Sequence, residues 1–299
     1  MIKQSTITIL IPAYNEEENI TSCINSILNQ KGDSYLVKKI LVVSDGSTDA
    51  TVERVQLIDS PIITCVTWKE NQGIEAAVDY AFRNTSNDFI IKLDGDLAFN
   101  NNHALERILK KQKENQSDLV YIGQNYQTPD QTLLQKYIAY IHGQLYKKDL
   151  LPQLTEPQYL QTHIVGSYLI PRDLYKKITI PSDIVPEDVY IFYKAQEEGF
   201  VTSYLLDPQV YFAYPQSWSH HLSQITRWGT PLLGNHFTRS FLAKYDARLP
   251  LSKIVPILLK AFWCHPLFVS ILVVTRILVL IKRPFYIRRQ LLRGKRKIS

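Results

Sequence analysis

Two aspartates separated by one glycine, Asp94-Gly95-Asp96, follow directly on the apolar run Phe89 to Leu93. Paired carboxylates at the end of a buried strand can hold a hard cation such as Mg²⁺ or Mn²⁺ against a diphosphate, and the glycine lets backbone approach closely. A polar turn that closes a strand has the same composition, so the pair gains meaning from its company. Pro12-Ala13-Tyr14-Asn15-Glu16-Glu17 ends the run Ile7 to Pro12, and Ser44-Asp45-Gly46-Ser47-Thr48-Asp49 ends the run Ile40 to Val43. Asp45 can accept the imide proton of a uracil while Ser47 or Thr48 caps the next helix, although turn chemistry alone also favours Asp-Gly-Ser. Glu187-Asp188 follows Pro186 and opens an apolar-faced helix, where two acids also suit the positive end of the helix dipole. Gln224, Arg227 and Trp228 are spaced by three and four and so share a helix face. An arginine there can bind phosphate oxygens, and a tryptophan can stack on a sugar ring.

The elements that must position these residues read as an α/β arrangement. Ile7 to Pro12, Ile40 to Val43, Ile62 to Trp68 and Phe89 to Leu93 are strand-like, and one-sided helical patterns lie between them. Asn15 stands where a helix N-cap belongs, with Glu18 as a capping-box partner, so a helix is expected directly after Tyr14. The expected fold is a Rossmann-like domain with a mainly parallel sheet. Ligands of such sheets bind outside the carboxyl ends of the strands, where the polar clusters fall. After about Ile122 the pattern loosens into Tyr-rich and Pro-containing segments, with helical stretches near Leu133 to Leu145 and Asp188 to Gln196.

The chain has 299 residues, 45% of them apolar and 21% charged, which suits a globular core and excludes wholesale disorder. Its three cysteines show neither disulfide nor zinc-site spacing, and its seven histidines show no metal-site spacing. Met1 to Leu10 alternates polar and apolar residues and reads as a strand, so the catalytic part is expected inside the cell. The formal net charge is +6, and much of that excess lies between Lys282 and Lys297, directly after the nearly continuous apolar stretch Ile254 to Ile281. A basic run beside such a stretch suits an anionic leaflet better than nucleic acid.

Taken together, these clusters resemble glycosyltransferase family 2, whose members have a GT-A fold. The resemblance runs from about Ile7 to Trp228. It implies that Pro12, Ala13, Tyr14, Glu16 and Asp45 hold the nucleoside, that Asn71-Gln72-Gly73 supplies Gly73 to the donor site, and that Asp94 and Asp96 bind the metal. It further implies that Asp188 is the catalytic base with Glu187 its neighbour, and that Gln224, Arg227 and Trp228 match the Gln-x-x-Arg-Trp motif of membrane-associated polysaccharide synthases. Gly166 and Ser167 resemble an acceptor-side element of those synthases, with Trp228 shared by donor and acceptor. The implied activity is inverting, metal-dependent transfer of a sugar from a nucleotide diphosphate, UDP-linked, to a lipid-linked or glycan acceptor.

Within this reading, residues 1–240 form the catalytic domain, with 1–123 as its nucleotide-sugar half and 124–240 as its acceptor half, and 241–299 form a membrane-associated helical tail. The tail is broken by Lys260 and His265-Pro266 and carries Arg276, so two short helices lying in or dipping into the cytoplasmic leaflet are expected rather than a span. A membrane partner protein is compatible with this, and so is a buried helix pair. The alternatives to single transfer are a processive polysaccharide synthase subunit and, more remotely, a nucleotidyltransferase or an inactive sugar-nucleotide-binding scaffold.

Overall fold

The computed structural model describes residues 4–125, 132–150, 166–181, 186–215, 217–229 and 251–296. The chain divides into two compact units, Met1–Asn125 with Ile164–Ala213, and Tyr126–His163 with Tyr214–Ser299.

The apolar run before Tyr14 forms β1 (Ser5–Ala13), in which Ile7, Ile9, Leu10 and Ile11 are fully buried. Such burial on both faces is what turns an alternating pattern into a continuous apolar one. Next come α1 (Ile20–Leu28), β2 (Tyr35–Asp45), α2 (Thr51–Gln56), β3 (Ile63–Trp68), α3 (Ile74–Asn84) and β4 (Phe89–Lys92). Strands β1, β2, β3 and β4 pair in parallel, in the spatial order β3-β2-β1-β4. This places the ends of β2, β1 and β4 side by side on one sheet edge.

The expectation of a mainly parallel sheet holds for this half only. Beyond it lie β5 (Leu97–Phe99), α4 (Ala104–Glu114), β6 (Leu119–Asn125), β7 (Tyr168–Pro171), α6 (Arg172–Tyr175), α7 (Glu187–Glu197) and β8 (Thr202–Phe212). The full order is β3-β2-β1-β4-β7-β6-β8-β5, and β7 runs antiparallel to both β4 and β6. Strand β5 is antiparallel to β8, so the eight-stranded sheet is mixed. The short β7 lies among tyrosines and prolines, where periodicity gives little signal.

A second correction concerns the first helix. Asn15 adopts a left-handed φ of 57° and α1 begins only at Ile20, with no side-chain cap from Asn19. The side chain of Asn15 instead accepts the backbone N–H of Thr48 at 2.8 Å. Ser47 and Thr48 likewise do not cap α2, whose N-cap position is Ala50, without a side-chain bond. Turn residues that look like caps here serve to join two strand ends.

The second unit contains α5 (Leu133–Ile138), opened by a capping box between Thr132 and Gln135, and a π-helical stretch from Ala139 to Leu150. It also contains α8 (Trp218–Gly229), α9 (Leu251–Cys264) and α10 (Pro266–Arg296). Tyr137, Ile138, Ile141, Ile257, Ala261 and Val269 belong to its core, so the C-terminal helices are partly buried. At 31 residues α10 is longer than the short helix expected. Among the described residues no helix is long and apolar enough to cross a membrane.

Candidate active site

The carboxyl ends of β1, β2 and β3 are tied together by hydrogen bonds. The N–H of Asn15 donates to Ser47 Oγ at 3.2 Å, that of Glu16 to Thr51 Oγ1 at 2.8 Å, and that of Glu17 to Asp49 Oδ2 at 3.1 Å. In return Glu17 Oε2 accepts from the N–H of Ala50 at 3.0 Å. The loop after β1 is therefore stitched to the loop after β2. Asp45 is buried and fixes the next loop, accepting from the N–H of Gln72 at 2.6 Å and of Gly73 at 2.9 Å. Gly73 has φ +101, a conformation that glycine adopts without strain.

The Asp94-Gly95-Asp96 turn meets the same region. A Cβ at Gly95 would lie 2.9 Å from Glu16 Cγ, so the glycine makes room for the Glu16 side chain. Beneath the turn, Cys23 Sγ lies 3.7 Å from the Asp94 carbonyl, and burial raises its pKa, with further increments from the charges of Asp96, Asp94 and Glu16. One buried sulfur thus senses three carboxylates from two loops. Pro12 and the buried Ala13 end β1, while Tyr14 is 45% exposed beside them.

The carboxylate pair at the start of α7 comes to the other side of β4. Glu187 and Asp188 are both buried. Between them and Asp94 stands Lys92, fully buried on β4, with Nζ 2.6 Å from Asp94 Oδ1, 2.6 Å from the Gly166 carbonyl oxygen and 3.4 Å from Glu187 Oε1. Burial opposes the charge on Lys92, but Asp94, Glu187 and Asp188 outweigh it and hold its pKa above the ordinary lysine value. Gly166, at φ +127, passes so close that a Cβ would lie 3.2 Å from Asp94 Oδ2. Ser167 is buried, and its carbonyl accepts from the N–H of Ile122 at 2.9 Å.

Asp188 is held at both ends. Its Oδ1 accepts from the N–H of Val189 at 2.8 Å, and its carbonyl accepts from Tyr121 Oη at 2.7 Å. Burial, aided by the neighbouring Glu187 charge and only partly offset by Lys92, pushes its carboxyl up to about 7. A carboxyl with that proton affinity is suited to general-base work near neutral pH.

The carboxylate oxygens of Asp94 and Asp96 are hard donors of the kind Mg²⁺ and Mn²⁺ take, and two of them with substrate phosphates make a normal magnesium site. Among the described residues no group of three His, Cys, Asp or Glu side chains forms a complete cage. The two carboxylates of the turn are the donor set that a cation shared with a phosphate ligand would take.

Gln224, Arg227 and Trp228 lie on α8, in the second unit. Gln224 is buried; the side chains of Arg227 and Trp228 lie outside the described residues. His221 is buried on the same helix, where burial, with Arg276 and His220 adding to it, lowers its pKa to about 4.

Sequence reasoning missed Lys92, Tyr121 and Cys23. Lys92 did leave a signal, as the one charged residue inside an apolar strand, a position that lysine occupies only when paired.

Residues 8–179 match the family described as glycosyl transferase family 2. Glycosyltransferase GlyA of Streptococcus pneumoniae is 32% identical over 129 residues, 42% of this chain and 18% of that protein. A glycosyltransferase of Rickettsia typhi, RT0329, is 32% identical over 183 residues, 59% of this chain and 55% of its own length. The undecaprenyl-phosphate 4-deoxy-4-formamido-L-arabinose transferase of Salmonella choleraesuis is 31% identical over 125 residues, 40% of this chain and 38% of its own. The matched stretch spans less than two thirds of each relative. Among solved structures, the mannosyltransferase PcManGT from Pyrobaculum calidifontis, in complex with GDP-Man and Mn²⁺, aligns over 95% of this chain and 83% of its own, with TM-score 0.61 and 17% identity. S. aureus TarS 1–349 with UDP-GlcNAc aligns over 86% of this chain and 72% of its own, with TM-score 0.55 and 18% identity. These neighbours share the GT-A-like α/β fold with its mixed sheet. By the match over more than half its length, this chain belongs to glycosyl transferase family 2.

Proposed function

We propose that the protein is an inverting, metal-dependent glycosyltransferase that moves a sugar from a nucleotide diphosphate donor to an acceptor hydroxyl. The observation that carries this reading is the placement of the buried Glu187-Asp188 pair beside the Asp94-Gly95-Asp96 turn, with Lys92 bridging Asp94 and Glu187. Asp188 takes the acceptor proton as that oxygen attacks the anomeric carbon, and no covalent intermediate is required. Asp94 and Asp96 would hold a divalent cation, which would supply charge neutralisation for the departing diphosphate. Pro12, Ala13, Tyr14, Glu16, Asp45 and Gly73 line the strand ends that receive the nucleoside, and Gly166 and Ser167 lie on the acceptor side. Gln224, Arg227 and Trp228 are assigned to donor binding through the motif they form, with Trp228 also on the acceptor.

The donor class is a UDP- or GDP-sugar, as bound by the structural neighbours, with UDP preferred, and the acceptor is a glycan or a lipid-linked sugar carrier. Association with the cytoplasmic face of a membrane is supported by the outer faces of α9 and α10, where Leu259, Trp263 and Leu280 are 66%, 88% and 61% exposed beside exposed Lys260, Arg276 and Lys282. Exposed apolar and basic side chains interspersed along these helices suit an anionic leaflet. The test is thermal stabilisation of the full chain by a panel of UDP- and GDP-sugars with and without Mn²⁺. A Mn²⁺-dependent rise in melting temperature that is lost in Asp96→Ala supports the reading. Equal stabilisation of parent and variant overturns the metal site.

A further inference from the structure

The Lys92 side chain touches both halves of the proposed chemistry. Its ammonium is buried, lies on the last residue of β4, and has three oxygen partners from three segments: Asp94 on its own strand end, Gly166 before β7 and Glu187 at the start of α7. The Tyr168 ring closes a fourth side, with Nζ 6.0 Å from its centroid. Glu187 Oε1 has no hydrogen-bond partner among the described residues, so the ammonium is the group that compensates its buried charge.

We propose that Lys92 is a positioning residue of the transfer site, an internal cation that fixes Asp94 and Glu187 before any donor arrives and with which the donor's metal ion shares Asp94. This rests on the reading that Asp94 and Asp96 receive the metal. The geometry has a consequence for affinity. One oxygen of Asp94 is turned to Lys92 at hydrogen-bonding distance, and the other lies against Gly166. A divalent cation that takes Asp94 meets a positive charge already seated there, and it gains less than it would from a free carboxylate. Lys92 therefore keeps the metal-free site ordered at the expense of metal affinity, so that the cation binds firmly only when a diphosphate contributes its own negative charge. Helix α7 is tied to the same ammonium through Glu187, which holds Asp188 in register with the metal-binding turn.

The experiment measures binding of Mn²⁺ alone, by electron paramagnetic resonance of free Mn²⁺, to the full chain and to Lys92→Met, Lys92→Arg and Asp96→Ala. Lys92→Met is expected to bind Mn²⁺ about tenfold or more tightly than the parent, and to melt lower without metal but recover with it, because the metal replaces the missing charge. Loss of a merely structural side chain would weaken Mn²⁺ binding instead. Folded Lys92→Met with parental or weaker affinity overturns the proposal. Should Lys92→Met fold only with metal present, Lys92→Arg decides: its planar fork cannot meet all three acceptors as the ammonium does, and Mn²⁺ affinity is expected to rise about threefold. An unchanged affinity there overturns the proposal as well. If Asp96→Ala binds Mn²⁺ like the parent, the ion lies elsewhere and it is the metal assignment under the proposed function that fails.

Discussion

The carboxylate of Asp45 accepts the backbone N–H groups of both Gln72 and Gly73, so the end of β2 and the loop after β3 form a single rigid edge. Hydrogen bonds to a charged acceptor contribute about 1.5 to 3 kcal/mol each, less where water can substitute. Asp45→Ala is expected to destabilise the first unit by about 2 kcal/mol and to weaken binding of a nucleoside diphosphate. Urea unfolding and calorimetric titration with UDP and Mn²⁺ measure the two effects. Parental values for both would remove Asp45 from the site.

Gly73→Ala should act through the same edge by a different route. The substitution demands a β-carbon at φ +101, in space held by the Glu75 carboxylate. Strain of this kind costs about 1 to 3 kcal/mol. A lower melting temperature with weaker donor binding is expected, and an unchanged melting temperature would contradict it.

Asp188 is expected to give the protein a pH dependence of both activity and stability. Its carboxyl titrates at about 7 in the folded chain against an ordinary value of 3.8, because burial disfavours the charge. Transfer should therefore rise as pH increases through about 7. In the same window the folded protein binds one more proton than the unfolded chain, so the Asp188 contribution to stability falls as pH rises from about 4 to 7 and is level above. Asp188→Asn removes both trends. A parental pH profile in that variant would place the titrating group elsewhere.

The C-terminal helices set a constraint on how membrane binding can be tested. Ile257, Ala261 and Val269 are packed in the core of the second unit, so deleting the tail would expose that core. Leu259, Phe262 and Trp263 are exposed and can be changed without this cost. The triple variant with serine at these positions should float less with anionic vesicles than the parent, while UDP binding stays within about threefold. Equal flotation would make another surface responsible.

Much of the placement of the strand ends was legible in the sequence because buried parallel strands are continuous apolar runs and their ends are marked by polar turns. Asp45 and Asp94 fall where those rules place them, and Glu187-Asp188 falls in the first turn of α7, where the helix dipole favours acids. Asn15 was misread because a residue that accepts a backbone N–H across two loops has the same local signature as an N-cap. The antiparallel β7 was missed because Tyr168–Pro171 is four residues long, and its partners, Phe89–Lys92 of β4 and Val120 and Tyr121 of β6, are far away in sequence. Lys92 escaped for the same reason: its three partners lie 2, 74 and 95 residues away, and only the fold joins them.

The central claim is that Asp188 acts as the base on a donor held at the Asp94-Gly95-Asp96 turn. The measurement that reaches it most directly is release of nucleoside diphosphate by parent and Asp188→Asn, using the UDP- or GDP-sugar that stabilises the parent most, together with the donor affinity of each. The amide fills the same space but cannot take a proton, so donor affinity should stay within about threefold while turnover falls by about 100-fold or more. Near-parental turnover in Asp188→Asn with the donor bound would contradict the account.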